Sequence, residues 1–65
     1  MQVVINGEKT ELASGISVRD LVEQLGIQGK VAIEVNREIV PRSRFDSHEL
    51  KEGDRIEVVH AIGGG

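Results

Sequence analysis

The stretch that decides the fold is the first twelve residues, which read Met1-Gln2-Val3-Val4-Ile5-Asn6-Gly7-Glu8-Lys9-Thr10-Glu11-Leu12. Asn6-Gly7 stands between two short runs in which successive side chains alternate between the two faces of a strand. This is the strongest short-range signal for a β-hairpin, because both central residues of a type I′ turn need a positive φ. A two-residue turn pairs Ile5 with Glu8 and Val3 with Thr10. One face of the predicted hairpin then carries Met1, Val3, Ile5 and Leu12. Val4 is left on the other face.

A short amphipathic helix is predicted next, with a signal at each end. Ser17 is placed as the N-cap, and Asp20 three residues later completes a capping box. The apolar residues that follow have helical spacing and form one stripe: Val18, Leu21, Val22 and Leu25. Gly26 is the residue expected to end the helix in the left-handed conformation. A helix this short and one-sided must lie on a sheet.

Three further strands are predicted in the rest of the chain. In residues 31–35 large apolar side chains occupy every second position, which predicts a strand. Ile39-Val40-Pro41 is a shorter run, and its proline lacks an N–H, so this strand is placed at a sheet edge. Residues 42–50 are predicted as an irregular connection with one helical turn, followed by a last strand that reaches about Ile62. The order of elements predicts an α+β domain with one helix on one face of a mixed sheet, in which the first and last strands are central.

Composition excludes several classes of protein. The chain has 65 residues, a net charge of −3, no cysteine and one aromatic residue. This length predicts one domain without room for an enclosed active site, so we expect the protein not to be an enzyme. Disulfide scaffolds and thiol nucleophiles are excluded, as is a membrane span, because no apolar run exceeds three residues. The acidic balance argues against nucleic acid, and the expected compartment is the cytoplasm.

The imidazoles give no sign of a catalytic or metal site. His48 and His60 stand outside any His-Glu helical motif, and no cysteine accompanies them. We therefore assign both histidines structural or neutral roles and predict no catalytic residue and no metal ligand.

The unusual feature is the end, Gly63-Gly64-Gly65, directly after a predicted strand. We therefore divide the chain into a domain, 1–62, and a glycine tail, 63–65. Three residues without Cβ atoms form a thin, adaptable thread that can enter a channel too narrow for side chains. Its tip is the α-carboxylate of Gly65, which another enzyme must activate, most simply by adenylation with ATP. A sulfur nucleophile would then leave a thiocarboxylate, and a lysine amine would leave an isopeptide bond.

These residues resemble a family, the small ubiquitin-like sulfur carriers of the thiamine pathway. The resemblance covers essentially the whole chain. It rests on the opening hairpin, on Val35-Asn36-Arg37-Glu38-Ile39-Val40-Pro41-Arg42, on Leu50 through Val59 with its Gly53-Asp54 turn, and on Ala61-Ile62-Gly63-Gly64-Gly65.

The resemblance implies a β-grasp fold and a carrier that binds no cofactor of its own. It implies that an E1-like adenylyltransferase of the ThiF type activates Gly65 with ATP and magnesium. A cysteine-desulfurase system would then supply the sulfur that turns Gly65 into thioglycine. A thiazole synthase of the ThiG type would receive that sulfur. The alternatives are a carrier for molybdopterin or tRNA thiolation and a β-grasp interaction module with an inert tail.

The surface by which partners hold the domain is also predicted from alternation. If the first and last strands are neighbours, Val4, Val59 and Ala61 share the open face of the sheet as an apolar patch beside the tail. The docking residues we expect are Val4, Val59, Ala61 and Ile62.

Overall fold

A mixed five-stranded sheet carries one helix in the computed structural model, which describes residues 1–60. The elements are β1 (Gln2–Ile5), β2 (Glu8–Glu11), α1 (Val18–Leu25), β3 (Val31–Val35), β4 (Glu38–Val40), a 3₁₀ turn (Arg42–Arg44) and β5 (Arg55–His60). The strand order is β2-β1-β5-β3-β4. β1 and β5 are parallel, and the other neighbours are antiparallel. The predicted α+β class, the internal positions of β1 and β5 and the edge position of β4 are confirmed.

The opening hairpin has the predicted turn and register. Asn6 and Gly7 both have positive φ, 50° and 84°, as a type I′ turn requires. Ile5 lies opposite Glu8, and Val3 lies opposite Thr10. The Asn6 side chain then extends the contact of β1 with β5, because its amide donates to the Val58 carbonyl at 3.2 Å and accepts from the Val58 N–H at 2.8 Å.

Both ends of α1 are closed as the sequence predicts. The Asp20 N–H donates to Ser17 Oγ at 3.1 Å, and the Ser17 N–H donates to Asp20 Oδ2 at 3.0 Å. Gly26 ends the helix at φ 67°. The predicted stripe is buried at Val18 and Leu21, whereas Leu25 is 45% exposed. Helical spacing places Leu25 one turn beyond Leu21, but it does not encode how far the sheet extends beneath that turn.

The core lies between α1 and one face of the sheet. Its buried residues are Val3, Leu12, Val18, Leu21, Ile33, Val35, Val40, Phe45, Leu50 and Ile56. In residues 1–60 no polar or charged residue is buried. The interior is therefore wholly apolar, and the polar chemistry of the described part lies on its surface.

Replacing Ser17 with alanine is expected to destabilise the protein by about 0.5–2 kcal/mol. The substitution removes the hydroxyl that accepts the Asp20 N–H and leaves that donor of the first turn without its cap. Urea denaturation followed by circular dichroism measures the change. Ser43→Ala is the matched control, because Ser43 is exposed and its hydroxyl has no hydrogen bond within residues 1–60. Equal midpoints for the two variants would contradict the assignment of the cap.

Candidate functional site

The candidate site is the glycine tail and the end of the strand that leads into it. Ala61, Ile62 and Gly63 through Gly65 lie outside the described residues, so the predictions for them remain predictions. His60 is the last described residue and ends β5. This strand pairs with β3 through five residues, up to the pair His60–Val31. The chain is therefore held in the interior of the sheet up to a point five residues before Gly65.

A side-chain hydrogen bond fixes the end of β5 to the loop that follows α1. His60 Nε2 lies 2.6 Å from the Gln28 carbonyl oxygen. A carbonyl only accepts, so Nε2 carries the proton and donates. His60 thus has the structural role assigned from the sequence. Its partner, Gln28, lies in the loop between α1 and β3.

Val59 lies on the open face of the sheet, as alternation predicts. Its side chain is 63% exposed, whereas Ile56 of the same strand is 1% exposed and faces the core. The residue opposite Val59 on β3 is Ala32, which is also exposed. An apolar surface therefore lies on this face close to the end of β5.

Val4 lies on the same face but at the other end of β5. The register of the parallel pair places half-buried Val4 level with Arg55, four residues before Val59. At about 3.3 Å per residue, this separates Val4 from Val59 by about 13 Å along the strand. The prediction that Val4 and Val59 belong to one contiguous patch is therefore wrong. Parallel strands joined through other elements have no turn that fixes their register, so the sequence did not reveal the offset.

Ile39 is an exposed apolar residue that the sequence interpretation missed. It lies opposite Glu34 on the open face and is 73% exposed. Ile33, Val35 and Val40 are buried, so alternation along β3 and β4 places their neighbours on the open face of the sheet. These neighbours are Ala32, Glu34 and Ile39. The sequence offered no signal that β3, rather than β1, is the neighbour of Val59.

The other candidate for chemistry is a surface groove of about 440 Å³ beside β4. His48 and the carboxylates Glu38, Glu49 and Asp54 line it. The Asp54 carboxylate already accepts from the Lys51 N–H at 2.8 Å and from Asn36 Nδ2 at 3.0 Å, which ties it to its own turn. The His48 carbonyl accepts from the Val18 N–H at the start of α1. Within residues 1–60 no three histidine or carboxylate groups are placed to hold a metal.

Comparison with known families assigns the chain to one of them. The sequence model described as the ThiS family matches residues 3–65 and so includes the glycine tail. The chain belongs to the ThiS family. It is 36% identical to the sulfur carrier protein ThiS of Escherichia coli, and the alignment covers the whole of both chains. The identification expected from the sequence is confirmed.

The fold agrees with this membership. The crystal structure of the thiamine biosynthesis protein ThiS from Geobacter metallireducens matches with a TM-score of 0.85 at 30% identity, over all of both chains. The ThiS fold is the predicted β-grasp, with one helix on a mixed five-stranded sheet. None of the described helices is long and apolar enough to cross a membrane.

ThiS-like sequence also occurs within larger proteins. The thiazole synthase of Paramagnetospirillum magneticum is 42% identical over 66 residues, and that of Magnetococcus marinus is 41% identical. The alignment covers all of this chain but only 20% of each synthase. The chain therefore spans about a fifth of the length of these relatives. As a ThiS-family member it is a sulfur carrier for the thiazole branch of thiamine biosynthesis, and these synthases fit that branch.

Proposed function

We propose that this sulfur carrier holds its sulfur on Gly65 as a C-terminal thiocarboxylate and donates it to a thiazole synthase. The observation that carries the proposal is the match to the ThiS family through residue 65, where the glycine tail ends. The division into a domain, 1–62, and a tail, 63–65, is part of the proposal.

The chemistry needs an activation step because a carboxylate is a poor electrophile. The Gly65 carboxylate attacks the α-phosphorus of ATP, and pyrophosphate leaves with the formation of an acyl adenylate. A sulfur nucleophile then attacks the Gly65 carbonyl carbon and expels AMP. Hydrosulfide leaves the thiocarboxylate directly, whereas a persulfide leaves an acyl disulfide that a thiol of the supply system cleaves to the thiocarboxylate, forming a disulfide in the process. ATP and magnesium are held by the activating enzyme, so the carrier supplies a reacting group and no general acid or base.

Three partners follow from these steps. An E1-like adenylyltransferase of the ThiF type activates Gly65, a cysteine-desulfurase system supplies the sulfur, and a thiazole synthase of the ThiG type accepts it. The thiazole synthases that contain a ThiS-like stretch support the last of these. Because these reactions consume ATP and cysteine sulfur, we propose that the carrier works in the cytoplasm.

Mass spectrometry tests the proposal. Incubated with the activating enzyme, ATP and a sulfur source, the chain is expected to gain the mass of one sulfur minus one oxygen, and fragmentation is expected to place the gain on Gly65. Omission of ATP is the control. No gain in the complete mixture would support the alternative of an interaction module with an inert tail. A gain that is delivered to molybdopterin synthase or to a tRNA thiolase, but not to thiazole synthase, would assign the carrier to another pathway.

A further inference from the structure

Two glutamates face each other on the open side of the sheet. Glu34 of β3 and Glu57 of β5 are direct cross-strand partners. Directly opposed residues of antiparallel strands have Cβ atoms about 4.5–5.5 Å apart, and like charges at that spacing destabilise the sheet. The repulsion between Glu34 and Glu57 therefore lowers the stability of the free domain.

Within residues 1–60 no lysine or arginine forms an ion pair with either carboxylate. The described ion pairs are Met1–Glu11, Arg19–Glu23 and Arg19–Asp46, so neither carboxylate takes part in one. Arg55 and Arg37 line a hollow of about 190 Å³ together with Glu57 but form no ion pair with its carboxylate. Both carboxylates can therefore accept a basic side chain that a partner brings.

Apolar residues border the two carboxylates. Val59 and Ala32 form the adjacent cross-strand pair, on the side nearer the tail, and Ile39 lies beside Glu34 on β4. Val59 and Ile39 are two of the three large apolar side chains exposed in the described part. An exposed apolar surface around two carboxylates that take part in no described ion pair is suited to a protein partner that brings a basic side chain into an apolar contact.

We propose that this open face, formed by Ala32, Glu34, Ile39, Glu57 and Val59, docks on a thiazole synthase whose surface inserts an arginine or lysine between the two glutamates. An arginine presents several N–H donors in a fixed plane and can bind both carboxylates at once. The like-charge repulsion of the free carrier is relieved in the complex. The choice of partner rests on the proposed function and on the synthases that carry a ThiS-like stretch in the same polypeptide.

Substitution of Glu57 by glutamine tests the proposal through two readouts that move in opposite directions. The change removes one charge and keeps the shape. The melting temperature of the carrier is therefore expected to stay level or to rise, because the repulsion with Glu34 is lost. The dissociation constant for the thiazole synthase of the same genome, measured by calorimetry, is expected to rise roughly tenfold, which is typical for the loss of a charge-assisted hydrogen bond. Glu34→Gln is expected to act in the same way.

Glu8→Gln is the matched control, because Glu8 is an exposed carboxylate on the far edge strand β2. It removes the same charge and is expected to leave the dissociation constant unchanged. Synthase binding by Glu57→Gln at the affinity of the unaltered carrier would overturn the proposal, as would a lower melting temperature of that variant. Weaker binding to the activating enzyme alone, or a shift in carrier self-association alone, would overturn the choice of occupant.

The proposed function can fail separately. If the unaltered chain gains sulfur at Gly65 but does not bind the synthase, the docking proposal fails and the thiocarboxylate stands. If the chain binds the synthase through Glu57 but never gains sulfur, the thiocarboxylate fails and the docking surface stands.

Discussion

Removal of Gly65 alone is expected to abolish sulfur transfer while the domain stays folded. The shortened chain still ends in a glycine carboxylate, that of Gly64, but this group lies one residue, about 3.3–3.6 Å, short of the original position. A displacement of about 1 Å from the reactive geometry can cost on the order of a hundredfold in rate, so a whole residue is expected to remove detectable turnover. Thiocarboxylate formation and thiazole formation measure the loss.

Gly65→Ala is the control for this deletion. It keeps the length and the carboxylate and adds one methyl group at the tip, so it separates the position of the carboxylate from the width of the thread. We expect partial activity from this variant and an unchanged circular dichroism spectrum from both. Thiazole formation by the deletion variant at the normal rate would refute the role of Gly65.

Ile33→Ala is expected to cost about 2–5 kcal/mol of stability, the usual range for a large-to-small change at a buried position. Ile33 is 0% exposed and lies in the centre of β3, between Val40 on one side and Val58 on the other. A chain of this length has a total stability of about 3–10 kcal/mol. The variant is therefore expected to be largely unfolded at 37 °C, which circular dichroism and urea denaturation report.

Ile39→Ala is the matched comparison for Ile33→Ala, because it makes the same chemical change on the neighbouring strand at a side chain that is 73% exposed. Its stability is expected to stay within about 0.5 kcal/mol of the unaltered protein. Similar losses for the two variants would show that β4 is packed differently from the structure described above.

The parts of the fold that the sequence predicted are those with local causes. The turn at Asn6-Gly7 depends on two residues that tolerate positive φ, and the ends of α1 depend on Ser17, Asp20 and Gly26. Each of these signals acts within four residues of the feature that it sets. This is why the hairpin register and the helix bounds agree with the structure.

The parts that the sequence did not predict depend on contacts between distant segments. Val4 and Val59 have the facing that alternation predicts, but their separation depends on the register of β1 against β5, which only the packed sheet determines. The opposition of Glu34 and Glu57 depends in the same way on the register of β3 against β5. The hydrogen bond from His60 to Gln28 joins segments 32 residues apart and gives no periodic signal.

That hydrogen bond also limits how far the carrier can deliver its terminal group. With β5 held at His60, only five residues remain to Gly65, and even a fully extended chain of that length spans about 17–18 Å. Every enzyme that acts on Gly65 must therefore bring its reacting atoms within that radius of the end of β5. An interface restricted to the far edge of the sheet, at β2, would not meet this condition unless the partner also extended to the His60 end. The length of the tether thus constrains the partners' shapes as strongly as any surface contact does.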